Sequence, residues 1–281
     1  MNDEFYVGYV PRAPKRLASF VRKVTIALGV CICCLSLLLV WWQKKFASTY
    51  FEYGVNTTLE GYLFTEPVPH LVLSLGIASD GKELFQNVLL VGEGKAGAEG
   101  VIVEIGQTAG RPLEGSKIKL SGSLIYGDGK ALMQISKEQN TNIEFLENGS
   151  PPVLQLSGPT SVILSGEIVD PKCYFGVMKP AEGKEHRSCA IRCIAGGIPP
   201  LFHSAGSKEY LLLVNEASVP INQEVLGLTG DQITIQGDVI LWNDWKILKV
   251  KEQTLKELTG QKKQREQLIV FESGITKCNG E

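Results

Sequence analysis

The chain carries no charge imbalance: 28 basic side chains stand against 30 acidic ones, a formal net charge of -2 over 281 residues. That balance removes any overall electrostatic drive toward nucleic acid or an anionic surface, so nucleic acid is not expected as a partner. A flexible Gly-rich tract is also missing. The 30 glycines are spread along the chain, which suits many short strands and turns and points to an all-β body. No cysteine occurs between Cys34 and Cys173, and the cysteines from Cys173 onward form no C-x-x-C pair. The first half of the body therefore has no thiol chemistry, and the thioredoxin-like pattern is excluded from the second.

Charge is absent again from Val24 to Trp42, an apolar run of about 19 residues. At a helical rise of ~1.5 Å it covers ~28 Å, close to the ~30 Å hydrocarbon thickness of a bilayer. Residues 24–42 thus read as a transmembrane helix. Trp41 and Trp42 are placed at headgroup level, with Lys44 and Lys45 just beyond. Arg12, Lys15, Arg16, Arg22 and Lys23 precede the span. This excess predicts a cytoplasmic N-terminal segment, residues 1–23, and a periplasmic or extracellular body on a single-pass inner-membrane anchor. A cleaved secretory signal is the alternative, but its apolar region is usually shorter and ends in small residues. Cys31, Cys33 and Cys34 lie within the span.

Beyond the span the sequence matches itself. Leu59-Glu60-Gly61-Tyr62-Leu63 aligns with Leu164-Ser165-Gly166-Glu167-Ile168, and Leu89-Leu90-Val91 with Leu212-Leu213-Val214. In a third block Leu113, Gly115, Ile118, Leu120, Gly122 and Leu124 align with Leu228, Gly230, Ile233, Ile235, Gly237 and Val239, followed by Lys130-x-Leu132 and Lys246-x-Leu248. The alternation of apolar residues is that of strands with one buried face. A unit of about 100 residues with roughly five such strands predicts two tandem OB-fold-like β-barrel modules, 50–143 and 160–250, with a pair of small β-sandwiches as the alternative. A turn-rich linker separates them, and a polar tail, 251–281, begins with a charged run able to form a short helix.

The copies differ at one place. The offset between them grows from 105 residues at Leu59/Leu164 to 123 at Leu89/Leu212, so the second module carries about 18 extra residues, coinciding with its cysteines. Glu185 to Ala195 is predicted helical, ended by the structural turn Gly196, Gly197, Pro199 and Pro200. At 100° per residue, His186, Cys189 and Cys193 fall at about 0°, 300° and 340°, on one face. Cys173, after Asp170-Pro171-Lys172, reaches the same face if the intervening loop folds back.

Three chemistries fit these residues. A Cys3His metal site on Cys173, His186, Cys189 and Cys193 suits zinc best, and copper or an iron centre less well. Disulfide bonding suits an oxidising exported location, with Cys173 pairing to Cys189 or Cys193 and Cys278 as a further partner. A reactive thiol with His186 as its base is the third. Asp170 and Lys172 read as a surface turn pair, and His70 and His203 as isolated.

The string G-E-I-V-D-x-K-C-Y-x-G-x-M-K-P, followed by H-R-x-C-A-x-x-C-I-x-G-G-I-P-P, spans Gly166 to Pro200. It resembles the signature of an uncharacterised family of bacterial membrane-anchored exported proteins. The resemblance implies a bacterial source and a site formed by Cys173, His186, Cys189 and Cys193, with no activity attached. The expected function is a non-enzymatic accessory or binding subunit of a membrane assembly, partnered by other membrane or extracytoplasmic proteins. A redox-active thiol or metal protein that transfers electrons or metal is the alternative.

Overall fold

A computed structural model describes residues 14–43, 49–79, 81–140, 143–146, 152, 156–176 and 178–264. Helix α1 (Lys15–Gln43) belongs to a unit of its own, residues 1–48, and the body begins at Thr49. Its long side chains from Leu17 to Trp42 are exposed rather than packed, and the stretch Lys15–Trp42 has a mean hydropathy of 2.6. It is long and apolar enough to cross a membrane.

The body consists of two closed five-stranded barrels. The first uses β2 (Thr57–Phe64), β3 (His70–Ile77), β4 (Glu83–Val91), β5 (Lys117–Gly127) and β6 (Lys130–Gln134). Round the barrel the order is β2, β3, β4, β6, β5 and back to β2, antiparallel throughout except for the parallel pair β4 and β6. Two short strands, β1 (Thr49–Phe51) and β7 (Glu144–Phe145), pair with β5 from outside. Helix α2 (Glu99–Ala109) connects β4 to β5 and buries Ile102 and Ile105 against the barrel interior.

The second barrel uses β8 (Thr160–Val169), β9 (Leu201–Ser204), β10 (Tyr210–Asn215), β11 (Gln232–Trp242) and β12 (Trp245–Val250). Its order is β8, β9, β10, β12, β11, again with one parallel pair, β10 and β12. Registers correspond too. Leu59 faces Leu120 as Leu164 faces Ile235, and Leu89 faces Leu132 as Leu212 faces Ile247. The last sequence match is displaced by one residue. Leu132 takes the place of Ile247, not Leu248, because both hairpins close through two-residue turns, Asp128-Gly129 and Asn243-Asp244. Gly122 and Gly237 sit where β5 and β11 pass from one partner strand to another. A Cβ there would lie 2.3 Å from Gln134 O and 2.4 Å from Lys249 O, so only glycine lets the barrel close so tightly.

The main difference lies between the first two strands of each barrel. Five residues, 65–69, join β2 to β3, whereas 31 residues, 170–200, join β8 to β9. The longer connection carries α3 (Pro171–Phe175) and α4 (Gly183–Ala195).

Each barrel has a core, but a third cluster belongs to both. Leu89, Val91, Ile125 and Leu132 of the first barrel pack with Phe175, Leu212, Trp242 and Trp245 of the second. The β11–β12 turn locks onto Asn87: its backbone N–H donates to Asp244 Oδ1 (2.7 Å), and Trp245 Nε1–H donates to Asn87 O (2.9 Å). At the equivalent position in the second barrel, Tyr210 donates its hydroxyl to Asp128 Oδ2 in the β5–β6 turn (2.7 Å). Each barrel thus presents its last hairpin to the third strand of the other. The charged run after β12 forms a helix over residues 252–264, and its Leu255 caps the second core.

Candidate functional site

Where β8 ends, Asp170 caps α3 by accepting the Cys173 backbone N–H at 3.1 Å, and Pro171 occupies the first helical turn. Both choices favour a helix start, and together they fix Cys173 one turn in. The start of α4 is tied to the barrel by Gly183 N–H donating to the buried Glu167 (2.6 Å). The three candidate residues of α4 differ in depth. His186 and Cys193 are buried, and Cys189 between them is partly buried.

Helix α4 ends as its glycines require. Gly196 N–H returns to Arg192 O, Gly197 adopts φ +102° with its N–H on Ile194 O, and Ile198 N–H reaches Cys193 O. Asn222 donates to the Ile194 and Ile198 carbonyls, which satisfies the helix end. Pro200 follows with its carbonyl accepting Leu213 N–H. Gly196 also lies against the first barrel, where a Cβ would come 2.0 Å from Lys95 O, and Gly97 N–H donates to Gly196 O at 2.8 Å.

These contacts deliver first-barrel groups to the thiols. Lys95 Nζ lies 2.8 Å from Cys189 Sγ and 3.6 Å from Cys193 Sγ. Lys172, buried, donates to the carbonyls of Gly92 (2.7 Å) and Gly94 (2.8 Å) and so clamps the loop that carries Lys95. Asp170 and Lys172 are therefore interior groups rather than a surface turn pair: one caps a helix, the other joins the barrels.

Cys173, Cys189 and Cys193 are free thiols, with Cys173 Sγ and Cys189 Sγ 3.9 Å apart. The ligand atoms of Cys173, His186 and Cys189 all lie within 4.8 Å of one another. Cys193 falls into a second such group with Asp170 and Cys173. The four predicted ligands thus gather around Cys173 as two overlapping trios. Asp170 Oδ2 and His186 Nε2 face each other at 3.6 Å, and neither has a hydrogen-bond partner although both are buried. Such orphaned atoms are costly unless something fills the gap. Cys278 lies outside the described residues.

The electrostatics are asymmetric. The neighbouring Cys173 thiol, aided by Lys95, holds Cys193 below the usual thiol range against the effect of burial. Cys173 moves the opposite way, first because of Cys193 beside it, then because it is buried and near Asp170. Contact with Cys189 raises Lys95, and burial lowers Lys172. Cationic neighbours and a donated bond are the surroundings in which sulfur carries negative charge.

Among the groups that the one-face argument missed, Asp170 was signalled by Asp-Pro ahead of a helix, a common start. Lys95 was signalled only by the density of Gly92, Gly94 and Gly97 around it. His203 is not isolated: its ring stacks on Tyr210 at 5.0 Å and its Nδ1 lies 3.3 Å from Tyr174 Oη. Comparison of the chain with protein-family models, curated proteins and solved structures finds no match.

Proposed function

We propose that this protein is a membrane-anchored accessory or binding subunit, exported across the bacterial inner membrane, whose thiol centre holds a divalent metal ion. The observation that carries the metal is the trio Cys173, His186 and Cys189, mutually within 4.8 Å, with His186 Nε2 buried beside Asp170 and making no hydrogen bond. A tetrahedral zinc with Zn–S of ~2.3 Å places its sulfurs ~3.8 Å apart, and the Cys173 and Cys189 sulfurs are 3.9 Å apart. Soft thiolates with one imidazole favour zinc over harder cations. Cys193 is the candidate fourth ligand. The free thiols favour this reading over a structural disulfide.

The strand order and the matching registers support two OB-folds related by duplication, the second with an insertion between its first two strands. In that fold this loop is among those that bind ligands. The apolar helix α1 and the basic residues before it support an anchor with the N-terminus inside, and the Gly166–Pro200 signature supports kinship with bacterial exported proteins. Partners are then other membrane or extracytoplasmic proteins. Full-length protein purified in mild detergent without chelator is expected to carry one zinc per chain by elemental analysis. Cobalt substitution should give sulfur-to-metal charge-transfer absorption that Cys189→Ser weakens. Metal-free protein that takes up neither ion would overturn the assignment.

A further inference from the structure

The three thiols differ in access. Cys193 is 2% exposed, whereas Cys173 and Cys189 are both partly open. What sets Cys189 apart is the exposed Lys95, whose ammonium meets its sulfur, so the cation rather than access marks Cys189 as the attacking thiol. Cys173 lies 3.9 Å away on a different helix. A movement of about 2 Å would bring the two sulfurs to the ~2.05 Å of a disulfide. Cys189 and Cys193 share one helix face, where nearly parallel Cα–Cβ directions disfavour a bond between them. The ammonium of Lys95, 2.8 Å from Cys189 Sγ, faces the sulfur on which charge develops as it attacks or leaves.

We infer that the metal-free centre performs thiol–disulfide exchange on disulfide substrates, with Cys189 as the attacking sulfur, Cys173 as the resolving sulfur and Lys95 of the other barrel stabilising charge on Cys189. In the first step Cys189 sulfur forms a bond to one substrate sulfur. The substrate S–S bond breaks, and the departing thiol leaves with the electron pair and takes up the Cys189 proton. In the second, Cys173 sulfur attacks Cys189 Sγ of the mixed disulfide and expels the second substrate thiol, which takes the Cys173 proton. Two electrons pass from the protein dithiol to the substrate disulfide, and no other oxidant is needed. A metal-bound centre is closed to this reaction, so the exchange goes beyond the metal reading and does not rest on it.

The test uses the full chain in detergent, carrying Cys31→Ser, Cys33→Ser, Cys34→Ser and Cys278→Ser, freed of metal by a chelator and then of the chelator. The probe is the aromatic disulfide 5,5′-dithiobis(2-nitrobenzoate). One equivalent should release two thiols and leave a Cys173–Cys189 disulfide in the peptide map. Adding Cys173→Ser should prolong the life of an adduct on Cys189, and Lys95→Met should slow the first release by about tenfold. A first adduct on Cys173 or Cys193, or a bond joining Cys189 to Cys193, overturns the inference. The peptide map of the parent decides this even if a variant fails to fold. Protein that binds no zinc yet gives the expected map defeats the metal assignment alone; protein that binds zinc but forms no Cys173–Cys189 bond once chelated defeats the exchange alone.

Discussion

His70 shows what a buried ring costs when nothing answers one of its nitrogens. It has no exposed surface, stacks on Phe64 at 5.6 Å and meets the edge of Trp242 at 4.5 Å. Nδ1–H donates to Val68 O at 2.8 Å, while Nε2 is buried without a partner. Burial pushes its pKa down to about 4, against the smaller effect of the Val68 bond. In the unfolded chain the group titrates near 6.5. Above that pH neither state takes the proton. As pH falls from 6.5 to 4 the unfolded chain is protonated and the native one is not, so stability is lost; below 4 this group costs nothing further. The loss should reach about 3 kcal/mol. Urea midpoints at pH 7 and pH 4.5 should fall more for the parent than for His70→Phe, and equal falls would remove His70 as the cause. The sequence marks this histidine as standing alone but is silent on its burial. The same silence makes Asp170-Pro171-Lys172 look like a surface turn, since depth depends on chain arriving from 80 residues away.

Among the elements, α4 was the most legible and its dock the least. Helical periodicity alone puts His186, Cys189 and Cys193 on one face, and Gly196-Gly197 ends the helix where expected. What that end rests on is the loop 92–97, which no local pattern connects to it. Gly196 has φ -81°, so its lack of a side chain serves space rather than backbone freedom. Gly196→Ala would drive a methyl into Lys95 O, with backbone on both sides and no flexible chain to yield. It should cost about 3 kcal/mol. It should also withdraw Lys95 from the thiols. Gly206→Ala meets nothing within 4 Å and should stay within about 0.5 kcal/mol of the parent. Denaturant midpoints of the two variants, measured together, test the difference. A Gly196→Ala protein as stable as Gly206→Ala would mean that the loop and the helix end are not held together.

At the scale of the molecule, the internal matches anticipated two β units of similar build, and five-stranded barrels of one strand order are found. The seam was not legible, because its hydrogen bonds come from turn residues such as Asp244 and its strand residues, Leu132 and Leu212 among them, follow the same period two as any buried face, which does not say what covers them. Trp245 is at its centre, fully buried in the cluster shared by both barrels and donating to Asn87 across the seam. Lys130 adds a hydrogen bond to the Asp244 carbonyl and sits 5.2 Å above the Trp245 ring. The described residues from Thr49 onward form one compact unit. Barrels that share a core of this kind should unfold together, since neither can separate without exposing Trp242, Trp245, Leu89 and Leu132 to water. Trp245→Ala should therefore cost about 3–5 kcal/mol and lower one common transition rather than split it. Far-UV circular dichroism reports the strands of both barrels, and Trp242 fluorescence, read in a background with Trp41→Phe and Trp42→Phe, reports the seam; in the variant both signals should fall at one urea concentration. A second, later transition in the dichroism alone would show a first barrel that stands without its neighbour, and with it a thiol centre whose Lys95 is not held in place by the fold.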